Sequence, residues 1–248
     1  MAQLVSNAAD AATGSETQAL LNSVNDPRIR IILTLSECRY RIIARRSAGI
    51  RRLSDLRGKK IAATLNTSSH YYLSRMLTTA RVAETDVTVV SLEGQDMPAA
   101  LEKHRVDAVS IWEPHAENSL AALGSDAVVF ENPSAYTERF NLNTRTDVLA
   151  DRTKRAVILT LIAEIERSSN QIRTRPAEMI PSLAPKIGYA ESTVFAVWRQ
   201  FTFPASLNGR LGPALNDVES WIAASQKRQP RINRELANLI DFTAAGRK

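Results

Sequence analysis

Apolar and polar positions alternate along the first 150 residues in short blocks, and the blocks switch between the period of a strand and the period of a helix. Residues 28–35 (Arg28 through Leu35) are mostly apolar and β-branched and predict a buried strand; Arg41 to Ala44 predicts a second, short one. In the stretch from Ile50 to Thr64, Ser54 is placed to cap a one-turn helix that stops at Gly58, and Lys60 to Thr64 starts another strand. Leu73, Met76 and Leu77 give an i, i+3, i+4 apolar face and predict a helix over about Ser69 to Thr79. Strands are then expected at Val87–Leu92, Val106–Ile111, Ala127–Phe130 and Phe140–Thr146, with a short helix at Asp96–Glu102 and another after His115. From Asp151 onward the pattern turns to helices alone: Asp151–Arg173, with Val157, Leu161, Ile165 and Ile172 near one face, then Pro176–Leu183, Ala190–Trp198, Gly212–Ser225 and Arg231–Phe242.

Strands alternating with helices indicate an α/β fold. With no repeat and no long linker, the 248 residues are expected to form two lobes that interleave through strand crossovers. No apolar run approaches the roughly 20 residues that span a bilayer. The start of the chain carries neither a basic segment nor an apolar one of secretory type.

Charge adds little. The formal net charge of +6 draws on Arg39–Arg52, Lys227–Arg234 and the terminal Arg247-Lys248. Nucleic-acid binding is one reading of it and solvated arginine on helix faces the other; the second is preferred, because no nucleic-acid-binding motif accompanies the charge. Candidate chemistry is equally sparse. His70, His104 and His115 form no metal-ligand spacing, and no glycine-rich phosphate loop or serine elbow is present, so no metal or cofactor is implied. Cys38, the one cysteine, can form no intrachain disulfide, and with His70 it is the single nucleophile–base pair worth testing.

The best candidate site is the run Asn66, Thr67, Ser68, Ser69, His70, where a strand hands over to a helix. Free amides at a helix start, with the positive end of the helix dipole, suit a sulfonate, phosphate, nitrate or carboxylate. Plain N-capping accounts for the same residues. Trp112 and Glu113 follow the Val106–Ile111 strand, at the edge where open α/β sheets bind ligands; Trp112 can supply an apolar wall and Glu113 an ammonium partner. Ser15, in Thr13–Glu16, and Glu37, after the first strand, are candidates for two further loops, and Arg145 can pair with an acid.

The passage from Gly49 through Ile50, Asp55, Leu56, Gly58, Lys59 and Ile61 resembles a segment of type II periplasmic binding proteins, nearest the nitrate/sulfonate/taurine (NMT1/THI5-like) group. The similarity continues through Ser68–Leu73, Asp86–Val90, Ala99–Glu102, Val106–Val109 and Trp112–His115. The resemblance implies a non-enzymatic, two-lobed binding protein for a small anionic or zwitterionic solute, periplasmic, delivering to an ABC permease. It implies a first lobe of residues 1–62 plus about 141–248 and a second of 63–140, with hinge strands near Ala44–Thr64 and Phe140–Thr146. Ser68, Ser69 and His70 match the family's ligand-facing helix start, and Trp112 and Glu113 its tryptophan–acid–proline loop.

One departure is large: residues 4–17 resemble a family segment that follows a first strand, helix and strand, and those elements are missing ahead of it. An upstream start with a signal peptide, a natural truncation that pairs with a copy of itself or another chain, and a decayed relative are the three accounts. The same fold also hosts a thiamine-pyrimidine synthase and a desulfinase, which leaves an enzyme, or a cytoplasmic sensor, as alternatives.

Overall fold

A computed structural model describes residues 1–244; Arg247 and Lys248, two of the basic residues noted above, lie outside the described residues. In chain order the elements are α1 (Ala2–Val5), β1 (Ala11–Ser15), α2 (Glu16–Ser23), β2 (Ile29–Arg39), β3 (Arg41–Arg45), β4 (Lys60–Ala63), α3 (Ser68–Thr79), β5 (Thr88–Ser91), α4 (Met97–Glu102) and β6 (Ala108–Ile111). They continue with α5 (His115–Leu123), β7 (Ala127–Glu131), β8 (Thr137–Arg145), α6 (Thr146–Ala150), α7 (Arg152–Thr174), α8 (Pro176–Ile187), α9 (Glu191–Trp198), β9 (Phe201–Thr202), α10 (Leu211–Ser225) and α11 (Asn233–Ala237). The chain divides into two compact units, one made of Met1–Glu37, Arg139–Met179 and the residues from Thr202 onward, the other of Cys38–Glu138 and Ile180–Phe201.

This division corrects the expected boundary at residue 62. β3 is central to the second unit's sheet, paired antiparallel with both β6 and β7, so the chain changes unit before it and not after. The chain crosses within β2, β8, α8 and β9, which places one expected hinge segment, Ala44–Thr64, inside a single unit.

In the first unit a four-stranded sheet has the order β1-β8-β2-β9, with β1 antiparallel to β8 from Ala11↔Thr144 to Ser15↔Phe140. Thr13–Ser15 is thus strand, not loop, and Ser15 closes it by capping α2, its Oγ accepting from the Gln18 amide at 3.3 Å. β2 runs past Leu35 to Arg39, so Ser36 and Glu37 are strand residues as well. Ile32 and Leu33 of β2, Leu142, Val148 and Leu149 pack with Ile158 and Ile162 of α7. The buried residues of α7 are therefore Ile158, Ile162 and Ser169; of the expected face, Ile165 packs against this core and Ile172 is half-buried, but Val157 is 65% exposed and Leu161 40%. Two apolar i, i+4 pairs stand side by side on this helix, and the period alone cannot rank them. The last helix is also shorter than expected, ending at Ala237, because the chain beyond it lies along β2: Ile31 donates to Leu239 O at 2.7 Å and accepts from Asp241 N at 3.0 Å. β9 interrupts the run expected to be wholly helical.

In the second unit the sheet order is β5-β4-β6-β3-β7. β4 is parallel to β5 and β6, joined by the crossovers α3 and α4, as parallel neighbours require. Its core joins Ile43, Ala62, Val109 and Ile111 of the sheet to Met97, Ala100 and Leu101 of α4 and Ala116 of α5. α3 buries Leu73, Met76 and Leu77 as the periodicity predicts. The turn of helix at Leu53–Leu56 is capped by Asp55, which accepts from the Arg51 and Arg52 amides, and not by Ser54; Gly58 follows at φ +74°.

Candidate binding site of the second unit

The register of the second sheet gathers several chain ends at one edge. β4 and β6 run side by side in the same direction, so the loops that follow Ala63 and Ile111 leave from neighbouring positions. β3 runs the other way and starts there, with Arg41 opposite Ile111. The edge is thereby supplied by residues 64–67 leading into α3, 112–114 leading into α5, and Tyr40 at the entry to β3. Carboxyl ends of adjacent parallel strands are where open α/β sheets hold ligands.

Asn66 takes a positive φ of 58°, and Thr67 then caps α3, its Oγ1 accepting from the Ser69 amide at 3.2 Å and donating to Thr64 O at 2.7 Å. Asn66 is exposed and Thr67 half-buried. The first-turn amides of a helix lack intrahelical acceptors and carry the positive end of its dipole; in this 12-residue helix the Ser69 amide already has the Thr67 oxygen as its acceptor.

The serines of that turn face different surroundings. Ser69 is fully buried: its Oγ donates to Ser110 O at 2.6 Å and accepts from the Thr64 amide at 3.1 Å, while Ser110 Oγ returns a bond to Ser69 O at 3.0 Å. Its hydroxyl is committed to pinning α3 onto β6. Ser68 Oγ lies 2.8 Å from Tyr40 Oη and 3.1 Å from Glu138 Oε1, and Tyr40 Oη also donates to that oxygen at 2.9 Å. Burial pushes the Tyr40 phenol well above its ordinary value, with nearby Glu138 adding to the effect, so it stays a donor. Burial likewise raises the Glu138 carboxyl, against the two bonds that lower it. Tyr40 packs edge-on against Tyr72 and Tyr136 and lies 6.0 Å from half-buried Trp112, forming an aromatic wall.

Glu113 does not offer a free carboxylate at this edge. It is buried against Arg41, with contacts of 2.6 and 2.7 Å, and its Oε2 accepts from the Glu117 amide. Arg41 also meets Glu117 at 2.8 Å. Burial opposes the Arg41 charge, but the two carboxylates outweigh it and hold the guanidinium above its ordinary value; burial raises Glu113 in spite of Arg41. The sequence shows both residues but not that they meet across 72 positions.

His70 turns to Glu84, Nε2 to Oε1 at 2.7 Å, and that bond lowers the Glu84 carboxyl. In the first unit, Ser15 is buried as the α2 cap, and half-buried Glu37 accepts from Thr202 Oγ1 at 3.2 Å with Arg139 at 3.8 Å. Arg145 pairs with Asp147 at 3.2 Å and donates to Leu4 O and Ala9 O. Cys38 is buried, and burial foremost pushes its thiol far above the ordinary range. That removes the thiolate on which the Cys38–His70 pairing depended. Among the described residues no group of three His, Cys, Asp or Glu side chains could hold a metal ion, and no helix is long and apolar enough to cross a membrane.

Sequence reasoning missed Tyr40, Arg41 and Glu138. Arg41 carried a signal, a cation inside an apolar strand that burial obliges to find an acid. Glu138 carried none, because it precedes the apolar part of β8.

A family model described as NMT1/THI5 like matches residues 1–178. The chain belongs to this family. A curated relative, the "Putative aliphatic sulfonates-binding protein" of Escherichia coli (strain K12), is 34% identical over 204 residues, covering 81% of this chain. The chain spans 60% of that relative's length. The fold is that of the periplasmic aliphatic sulphonate binding protein SsuA from Escherichia coli, with a TM-score of 0.78 at 18% identity over 94% of this chain and 80% of that one. The desulfurization enzyme DSZB shares the fold at a TM-score of 0.61 and 14% identity, covering 93% of this chain and 86% of its own. The family and the type II periplasmic-binding-protein fold expected from the sequence both hold.

Proposed function

We propose that this chain is the substrate-binding component of an ABC importer for a small anionic or zwitterionic solute of the sulfonate, taurine or nitrate kind, working in the periplasm with a membrane permease. The α3 tip carries the reading. It places first-turn amides and the Asn66, Thr67 and Ser68 side chains at the carboxyl edge of β4 and β6, with Trp112 as an apolar wall. Ser69 and His70 act there by fixing α3 in place, and Glu113 by holding Arg41. In the first unit, Ser15 at the start of α2 and Glu37 on β2 are the ligand-binding residues the sequence suggested. The names of the relatives favour sulfonates over nitrate.

Calorimetric titration and thermal-shift measurements with ethanesulfonate, taurine and nitrate test the reading. A true ligand raises Tm as its concentration rises. Ser68→Ala should weaken binding of that ligand while the fold persists. If none of the three anions binds or shifts Tm, the reading fails.

A further inference from the structure

The acid beside the α3 tip is Glu138, and its surroundings are unusual for a carboxylate. Both of its hydrogen bonds, from Tyr40 Oη and Ser68 Oγ, converge on Oε1. Among the described residues Oε2 accepts from no side chain, and no cation reaches the carboxyl. Arg41 is taken up by Glu113 and Glu117, and Arg39 faces Glu131 at 3.7 Å. Arg139 is the next residue along β8, where successive side chains point to opposite faces. The titratable groups that face Glu138 from the β2–β3 segment, Tyr40 and Cys38, are both acids whose buried side chains keep their protons. Ser68, which opens α3, is thus flanked by a half-buried carboxyl with no counter-ion.

We infer that Glu138 is a specificity-determining residue that binds anions in its protonated form, donating from Oε2–H to an oxygen of the ligand's anionic head. This rests on the reading of the α3 tip as the anion end. An anion seated on the first turn meets Ser68, and Ser68 Oγ is 3.1 Å from Glu138 Oε1. Two negative charges on either side of one hydroxyl repel, whereas a neutral carboxyl adds a donor to the tip amides. Among the described residues no cation pairs with Glu138 to share the site with both charges. Binding above the carboxyl's own titration range therefore takes up one proton from solvent per anion bound.

Sulfonates stay ionised across the whole range in which carboxyls titrate, so ethanesulfonate is a clean probe. Its affinity for the full chain is measured by titration calorimetry from about pH 5 to about pH 9, in buffers of differing ionisation heat. The native protein should lose affinity with rising pH, approaching about tenfold per pH unit above the Glu138 titration, with proton uptake in the buffer-dependent heat. Glu138→Gln keeps a donor but cannot ionise; it should bind at the native low-pH strength at every pH and take up no proton. Glu138→Asp should keep a slope. A native affinity independent of pH, or a Glu138→Gln protein with the native slope, overturns the proposal and leaves the α3 site standing. Ethanesulfonate binding to neither protein at any pH overturns the site and the proposal together.

Discussion

Ser69 and Ser110 exchange hydrogen bonds: each hydroxyl donates to the other residue's carbonyl, at 2.6 and 3.0 Å, with both side chains fully buried. The pair ties the first turn of α3 to β6, and the Thr64 amide bonds to the same Ser69 oxygen. Ser69→Ala leaves that amide and the Ser110 carbonyl short of a partner. We expect a loss of about 1–3 kcal/mol in stability, read as a lower urea midpoint at unchanged m-value. An unchanged midpoint would show that the exchange contributes nothing.

Arg41 and Glu113 predict a larger effect. Glu113→Gln leaves a buried guanidinium with Glu117 alone, and removal of one partner of a buried pair costs about 3–5 kcal/mol. The loss should appear in chemical denaturation. A Glu113→Gln protein as stable as the native one would contradict the burial of this pair.

A second buried acid gives a pH prediction. Glu219 of α10 is fully buried between Arg228 at 2.6 Å and Arg231 at 2.9 Å. Burial alone raises its carboxyl; the bonds from the two arginines outweigh that and bring it down to about 2. A lowered folded-state value means stability present above the unfolded carboxyl's titration, near pH 4.3, and lost as pH falls toward about 2. Native protein should therefore lose stability over this window more steeply than Glu219→Gln does, in urea denaturation followed against pH. Parallel curves would refute it.

The α7 register can be checked by a pair of truncations. Ile162 is 4% exposed and Leu161 40%. Ile162→Ala should cost about 2–5 kcal/mol and Leu161→Ala well under half as much. The reverse order would restore the stripe that the sequence alone suggested.

Cys38 should behave as an inert thiol. In native protein it should react with Ellman's reagent far more slowly than in guanidinium chloride, where one thiol per chain is released. Rapid labelling of the folded protein would return Cys38 to consideration as a nucleophile.

Periodicity by itself determined the alternation of strands and helices from about residue 28 to 146, the buried face of α3 and the fold class, but not β1 and α2 ahead of them. The spacing of polar residues between Ala63 and Tyr71 placed an anion-suited helix start at the end of a strand. Each of these is local, decided by which face of one element must leave water. Tertiary structure decided the rest. Whether 157/161 or 158/162 is the buried pair on α7 depends on what packs against the helix, and whether β3 belongs with β2 or with β6 depends on a pairing 60 to 70 residues away. The partners of buried charges are of the same kind. Glu113 reads as a carboxylate open to a ligand until Arg41 is brought against it, and Glu138 has no marked neighbour in sequence until β8 carries it to Tyr40 and Ser68. A buried ion or hydroxyl takes its chemistry from whatever group lies within hydrogen-bonding distance, and that distance is set by the fold.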